Sequence, residues 1–256
     1  ISLSCLLSTL IFGGFLYQTD YTWFALTSLC FSFFWNATLP QFEAATLFHL
    51  RNRLSQHYSK IRSWGSIGFI IAVITIGRVL DYYGPEILPY IIIALLFMNL
   101  LVALTIPEAG LHHQADIPLG LTEIIFRKHT LAFFLVYLCL QVAHGPYYVF
   151  FSVYLKNYHY SATDTAWLWA LGVMAEIVLF MFAAALLKRF SLRGLLCCTL
   201  VLSSLRWWMI ADLADDKVFI VIAQLLHAAS FGLAHVVAIK LLYDYFGHYH
   251  QSQGQA

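Results

Sequence analysis

Charge is what this sequence has least of. Asp, Glu, Lys and Arg make up 11% of its 256 residues, where a soluble domain carries about a quarter. The 14 basic and 13 acidic residues leave a formal net charge of +1, so no bulk field exists to hold nucleic acid or a strongly acidic partner. Catalytic signatures are missing too: there is no H-E-x-x-H, no G-x-S-x-G, no Walker loop and no G-x-G-x-x-G after a strand. An enzyme reading therefore lacks its chemistry, ATP is not a visible energy source, and no cofactor or metal is expected. The five cysteines (Cys5, Cys30, Cys139, Cys197, Cys198) lie inside apolar runs with no C-x-x-C spacing, and read as small buried hydrophobes.

What the sequence does have is apolar length. Hydrophobic residues reach 61% and the mean hydropathy is +0.76. A globule of this size cannot hide that much apolar surface, so the surplus must face lipid, where only helices or closed barrels satisfy the backbone. The runs are long rather than alternating, which selects helices. Runs near the roughly 20 residues that cross a hydrocarbon core predict eight spans, at about 1–17, 22–48, 63–80, 88–106, 130–155, 163–187, 195–212 and 218–243. The predicted fold class is an all-α polytopic membrane protein.

The loops sort by charge. Those at 49–62 (Arg51, Arg53, Lys60, Arg62), 107–129 (Arg127, Lys128) and 188–194 (Lys188, Arg189, Arg193) hold nine of the 14 Lys and Arg residues. The alternate loops carry Asp20, Asp81, Glu86, Asp215 and Asp216. The positive-inside bias makes the basic loops cytoplasmic and puts both ends of this chain inside. The longest loop, 107–129, divides the chain into blocks at 1–106 and 130–256 and reads as a cytoplasmic linker. Two helical blocks joined in this way are the layout of transporters built from repeats. The chain starts at Ile1 within an apolar stretch, with no Met or cleavage site, and reads as a fragment.

An ionisable residue inside a span costs about 2.5–3.5 kcal/mol on insertion scales, so each is a site candidate. Glu176 lies midway along the sixth span, where snorkelling cannot excuse it; it either exchanges a proton or pairs with Arg206. Arg206, in the seventh span, cannot discharge and needs an anion, either Glu176 or a substrate carboxylate. His227 in the eighth span is the side chain most able to titrate near neutral pH. His144 precedes Gly145-Pro146, so a kink explains it as well as a ligand role does. His235 reads as packing. Glu43 in the second span could pair with Arg62 at the start of the third. Tyr82, Tyr83, Tyr147, Tyr148, Trp207 and Trp208 read as interfacial belt.

Several stretches resemble one family. Tyr58-Ser-Lys-Ile-Arg-Ser-Trp-Gly-Ser-Ile-Gly-Phe69 is similar to the start of the fifth helix in the lactose permease-like branch of the major facilitator superfamily, especially its phenylpropionic acid transporter relatives. Gln141-Val-Ala-His-Gly-Pro-Tyr-Tyr148, Trp167-Leu-Trp-Ala-Leu-Gly-Val-Met-Ala-Glu176, Leu205-Arg-Trp207 and Gln224-Leu-Leu-His227 also match. The resemblance covers nearly the whole chain and implies a major facilitator-type bundle of which these spans are helices three to ten of twelve. It implies that Glu176, Arg206 and His227 serve proton coupling. Substrate binding would fall to Glu43, Arg62, His144 and Glu176. The chain departs from the sugar permeases at Gln224 and Ser230, where they carry a lysine and a glutamate, and at the absent seventh-helix acids near Tyr147 and Tyr148.

These readings converge on a monomeric secondary transporter of the cytoplasmic (inner) membrane, whose partners are a small-molecule substrate, protons and the lipid bilayer. The expected activity is proton-coupled symport of a small organic solute such as an aromatic acid. The alternatives are an uncoupled facilitator, a sugar:proton symporter, and, in a different class, a membrane-embedded sensor or assembly partner.

Overall fold

Long apolar runs dictate helices, and helices are what the chain forms. The computed structural model describes residues 1–18, 20–50, 54–106 and 124–255. Positions 107–123 of the expected linker lie outside these residues, as do the side chains of Glu43 and Arg62. Among the described residues every regular element is helical. The chain divides into two compact units, Ile1–Ile67 with Val79–His113 and Gly68–Arg78 with Gln114–Ala256.

The first unit contains α1 (Ser2–Gly13), which continues as a 3₁₀ turn over Gly14–Leu16, α2 (Tyr21–Asn36), α3 (Thr38–Leu50), α5 (Leu88–Thr105) and the two ends of α4 (Leu54–Tyr83). Asp20 caps α2 by accepting from the Trp23 amide at 3.0 Å, which satisfies one of the free donors of a first turn. The span expected at 22–48 is split at Ala37. Pro40 is the cause: it has no N–H for the carbonyl of Asn36, and its ring crowds that carbonyl. The Thr38 hydroxyl covers the break by donating to the Trp35 carbonyl at 2.6 Å. α1 packs on α5 where Cys5 meets Leu100 and Ala103. Cys30, Cys139, Cys197 and Cys198 are exposed on their helices, so burial holds for Cys5 alone; lipid-facing positions in an apolar run look the same in sequence as core positions.

The second unit contains α6 (Lys128–Asn157), α7 (Ala162–Arg189), α8 (Leu192–Asp212), α9 (Lys217–Leu225), a π-helical turn (Ala228–Leu233) and α10 (Ala234–Gln255). α6 runs through Pro146 without interruption. A capping box starts α7: the Ser161 hydroxyl accepts from the Asp164 amide at 2.9 Å, and the Asp164 carboxylate accepts from the Ser161 amide at 3.3 Å. Ser191 caps α8 through the Gly194 amide, and Asp216 caps α9 through the Val218 amide. One cluster of its core is Tyr147, Phe151, Leu155, Tyr160, Leu168, Ala214 and Ile220, and others are Ile124, Phe133 and Leu242, and Leu195, Leu233 and Val237. The π turn packs against both α7 and α8, which decides where the polar residues meet.

Among the described residues, six helical stretches are long and apolar enough to cross a membrane: Trp64–Tyr83, Pro85–Thr105, Lys128–Asn157, Ala162–Arg189, Leu192–Asp212 and Lys217–Leu242. The first expected span corresponds to the shorter apolar stretch Ser2–Leu16, and the second to the α2 and α3 pair. The chain is a multi-pass helical membrane protein.

Candidate functional site

The second unit gathers four of the polar residues that stood out in the spans. Glu176, on α7, meets His227, on the turn between α9 and the π segment, with 2.7 Å between Oε1 and Nε2. The side chains are 12% and 6% exposed. One proton held between these atoms can sit on either, because the contact is a hydrogen bond both as a neutral carboxyl with a neutral imidazole and as a carboxylate with an imidazolium, the second being the stronger.

Arg206 on α8 is fully buried. Its Nε donates to the Ala223 carbonyl at 3.0 Å, one Nη to the Ser230 hydroxyl at 3.2 Å and the other to Gln224 Oε1 at 3.3 Å. The guanidinium carbon lies 4.2 Å from the Tyr147 ring centroid and 4.4 Å from that of Trp207. The Arg206–Glu176 ion pair, one of the two partners expected for Arg206, does not form: Glu176 is with His227, and among the described residues no carboxylate lies within ion-pair distance of Arg206. Neutral acceptors and two π faces hold the charge instead. Each hydrogen bond to a charged group contributes about 1.5–3 kcal/mol, and a desolvated cation–π contact about 2 kcal/mol. These offset a desolvation cost of several kcal/mol. Gln224 and Ser230, two of the expected departures from the sugar permeases, are thus among the groups that wrap the arginine. The Arg206 bond to Ala223 falls near the end of α9, just ahead of the π turn, and an inserted side chain is one of the places where a helical ladder loosens.

Tyr147 and Trp207 therefore belong to a cage around Arg206 rather than to an interfacial belt. The Tyr147 hydroxyl donates to Gln224 Oε1 at 2.9 Å, so that one oxygen receives two donors. Tyr82 and Tyr83, at the end of α4, are exposed.

His144 is 1% exposed, with Nδ1 2.7 Å from the Leu140 carbonyl. It borders a cavity of about 260 Å³ lined by Tyr137, Gln141, Ser230, Phe231 and His235, among others. Its ring meets Trp207 edge to face at 5.0 Å and lies 6.3 Å from the ring of His227. Tyr148 stacks on Trp169 at 13°, and Phe231 stacks on His227 at 8°. Among the described residues no group of His, Cys, Asp and Glu is disposed to hold a metal ion.

Glu176, Arg206, His227 and His144 thus converge, while the side chains of Glu43 and Arg62 fall outside the described residues. Sequence reasoning missed Tyr147, Trp207, Gln224 and Ser230 as a shell. A signal existed for two of them, because Gln224 and Ser230 stand three residues either side of His227 and so share its helix face.

A family model described as the MFS_1 like family matches residues 1–256. The chain is 25% identical over 240 residues to the probable 3-phenylpropionic acid transporter of Escherichia coli (strain K12), covering 92% of this chain and 63% of that protein. It is 26% identical over 230 residues to the maltose permease of Geobacillus stearothermophilus, covering 86% and 56%. It is also 25% identical over 185 residues to an uncharacterized transporter of Bacillus subtilis (strain 168), covering 72% and 46%. The chain therefore spans between about half and two thirds of the length of these relatives. No solved structure matches it. A helical membrane chain whose buried polar residues meet in one cluster, matched along its whole length by a single family model, belongs to the MFS_1 like family of transporters.

Proposed function

We propose that the protein is a secondary active transporter that takes up a small organic solute together with a proton, by alternating access, across the cytoplasmic membrane. The Glu176–His227 pair carries this reading. Two groups 2.7 Å apart can share one proton as a net-neutral pair, and after its release the carboxylate left behind still accepts a hydrogen bond from the imidazole. The coupling residues are Glu176, Arg206 and His227; the substrate contacts are Glu43, Arg62, His144 and Glu176. The transporter works as a monomer.

The substrate class follows from charge and rings. Arg206 brings a fixed positive charge that no described carboxylate neutralises, which favours an anion. Tyr148, Trp169 and Phe231 offer ring faces near His144 and His227. An aromatic carboxylate of the phenylpropionate type fits both, in keeping with the name of the Escherichia coli relative.

A second reading is a facilitator without coupling, or a sugar symporter. Gln224 and Ser230 favour the first, since neither can titrate, and the maltose permease relative favours the second. Uptake of labelled phenylpropionate and of a galactoside by cells expressing the full-length protein, with and without a protonophore, decides among them. Protonophore-sensitive uptake of phenylpropionate is the expected result. Uptake that survives the protonophore leaves a facilitator, and uptake of the galactoside alone makes it a sugar carrier. No uptake of either removes the transport reading in favour of a sensor or assembly role.

A further inference from the structure

His144 and His227 present a shared chemical problem. The Leu140 carbonyl can only accept, so His144 Nδ1 at 2.7 Å carries that ring's proton and the neutral ring exposes Nε2 as a bare acceptor. His227 donates from Nε2 to the Glu176 carboxylate, which leaves its Nδ1 as a second bare acceptor. Both atoms are buried with no protein partner. Two acceptors cannot bond each other, and leaving each unmet costs about 1–3 kcal/mol. The ring centroids are 6.3 Å apart, a gap that two hydrogen bonds of about 2.8 Å through one oxygen can span. Two buried donors of the same cluster, Trp207 Nε1 and Gln224 Nε2, also lack a protein partner.

We propose that His144 is a second proton-carrying station, joined to the Glu176–His227 pair through one internal water. The water donates to His144 Nε2 and to His227 Nδ1 and accepts from Trp207 Nε1, which gives it the usual three bonds of a buried water. The proton balance closes. A proton arriving from the cavity binds His144 Nε2 as the water turns from donating to accepting there, and makes the ring an imidazolium. That ring passes the Nε2 proton to the water, and the water passes one of its own to His227 Nδ1. His227 gives its Nε2 proton to Glu176 Oε1. His144 is neutral again, His227 has changed tautomer, and the Glu176 O–H now donates to His227 Nε2 across the same 2.7 Å. The charged and titratable groups around His144 are Arg206 from α8, Glu176 from α7, His227 from the π-turn region, Tyr137 and Tyr148 from its own helix and His235 from α10 across the cavity.

This assignment rests on the proton-coupled reading, and its test separates the two. The protein is placed in proteoliposomes with a trapped pH dye. Substrate-driven proton influx is measured per molecule of phenylpropionate taken up, or of the galactoside if that is the compound cells take up. Wild type couples; His144→Gln slows proton influx about a hundred-fold or more, the scale of losing a positioned proton-transfer group, and the ratio falls with it. Trp207→Phe keeps the ring, removes only the N–H and lowers the ratio in the same direction, which keeps the idea testable if His144→Gln does not fold. A wild type that moves substrate without protons, or moves neither compound, overturns the coupled reading and the relay with it. A coupled wild type with a His144→Gln variant at the wild-type ratio, even at a raised KM, makes His144 a substrate ligand only and overturns the relay alone.

Discussion

Gly172 makes room for the ring of His227: a Cβ at Gly172 would lie 3.2 Å from His227 Cδ2. Across the same contact, a Cβ at Gly232 would lie 3.3 Å from Glu176 Cγ. Each member of the proton-sharing pair thus packs on a glycine of the other's segment. Gly172→Ala or Gly232→Ala obliges the facing side chain to give by a few tenths of an ångström, an overpacking cost of about 1–3 kcal/mol less the roughly 0.5–1 kcal/mol gained on replacing a helical glycine. Both single variants are expected to melt lower in detergent and to accumulate less substrate. Their effects should not add in the double variant, since both act on one contact.

Glu176→Gln keeps a hydrogen bond to His227 but removes the carboxyl that takes the proton. The accumulation ratio is expected to fall to that of passive equilibration. A variant that still concentrates substrate against a gradient would remove Glu176 from the coupling step.

Arg206 should tolerate lysine poorly. The ammonium has no planar fork to reach Ala223, Gln224 and Ser230 together while lying flat against Tyr147 and Trp207. Each acceptor left unmet costs about 1–3 kcal/mol, so Arg206→Lys is expected to lower the melting temperature and Arg206→Met to lower it further. Equal melting of Arg206→Met and wild type would show that the guanidinium contributes nothing to this core.

The turn before α7 gives a pH-dependent prediction. Tyr160 is buried and donates to the Ala214 carbonyl at 3.0 Å. Burial, with the carboxylates of Asp216, Asp164 and Asp215 adding to it, raises its phenol above the ordinary value. The folded chain therefore holds this proton more tightly than the unfolded chain, so the contribution is complete below about pH 10 and is lost as pH rises through the raised value. Tyr160→Phe is expected to lower stability at neutral pH by about 0.5–1.5 kcal/mol and to flatten the alkaline loss, read from thermal melts between about pH 7 and 11.

Glu176, Arg206 and His227 were legible in the sequence because a titratable group in an apolar run is costly and therefore conspicuous. Their pairing was not legible. Opposite charge suggested Arg206 for Glu176, yet the π turn presents His227 to the acid and leaves Arg206 to Tyr147, Trp207, Gln224 and Ser230. Those four are ordinary helix residues in sequence, and only the packing of α6, α8 and α9 brings them to one guanidinium. The helical class was legible from run length, whereas the split at Ala37 needed the local effect of Pro40 to be weighed against an apolar pattern that continues past it. The four exposed cysteines show the same limit, because lipid-facing and core positions carry the same apolar letters.

The π turn at Ala228–Leu233 holds one residue more than an α-turn would. Deleting one residue there would let the helix close as α. The stretch from Ala234 onward would then keep its phase relative to His227, because the wide turn already takes up the one residue removed, where a deletion in plain α-helix would turn it by about 100°. The Tyr137 hydroxyl would keep its bond to the Ala234 carbonyl, now at 2.8 Å. The turn is therefore a reserve of slack within a membrane span. It lets the helix change length by one residue without exposing a broken backbone to lipid, and it keeps the rotational phase of α10 relative to the residues that hold the proton.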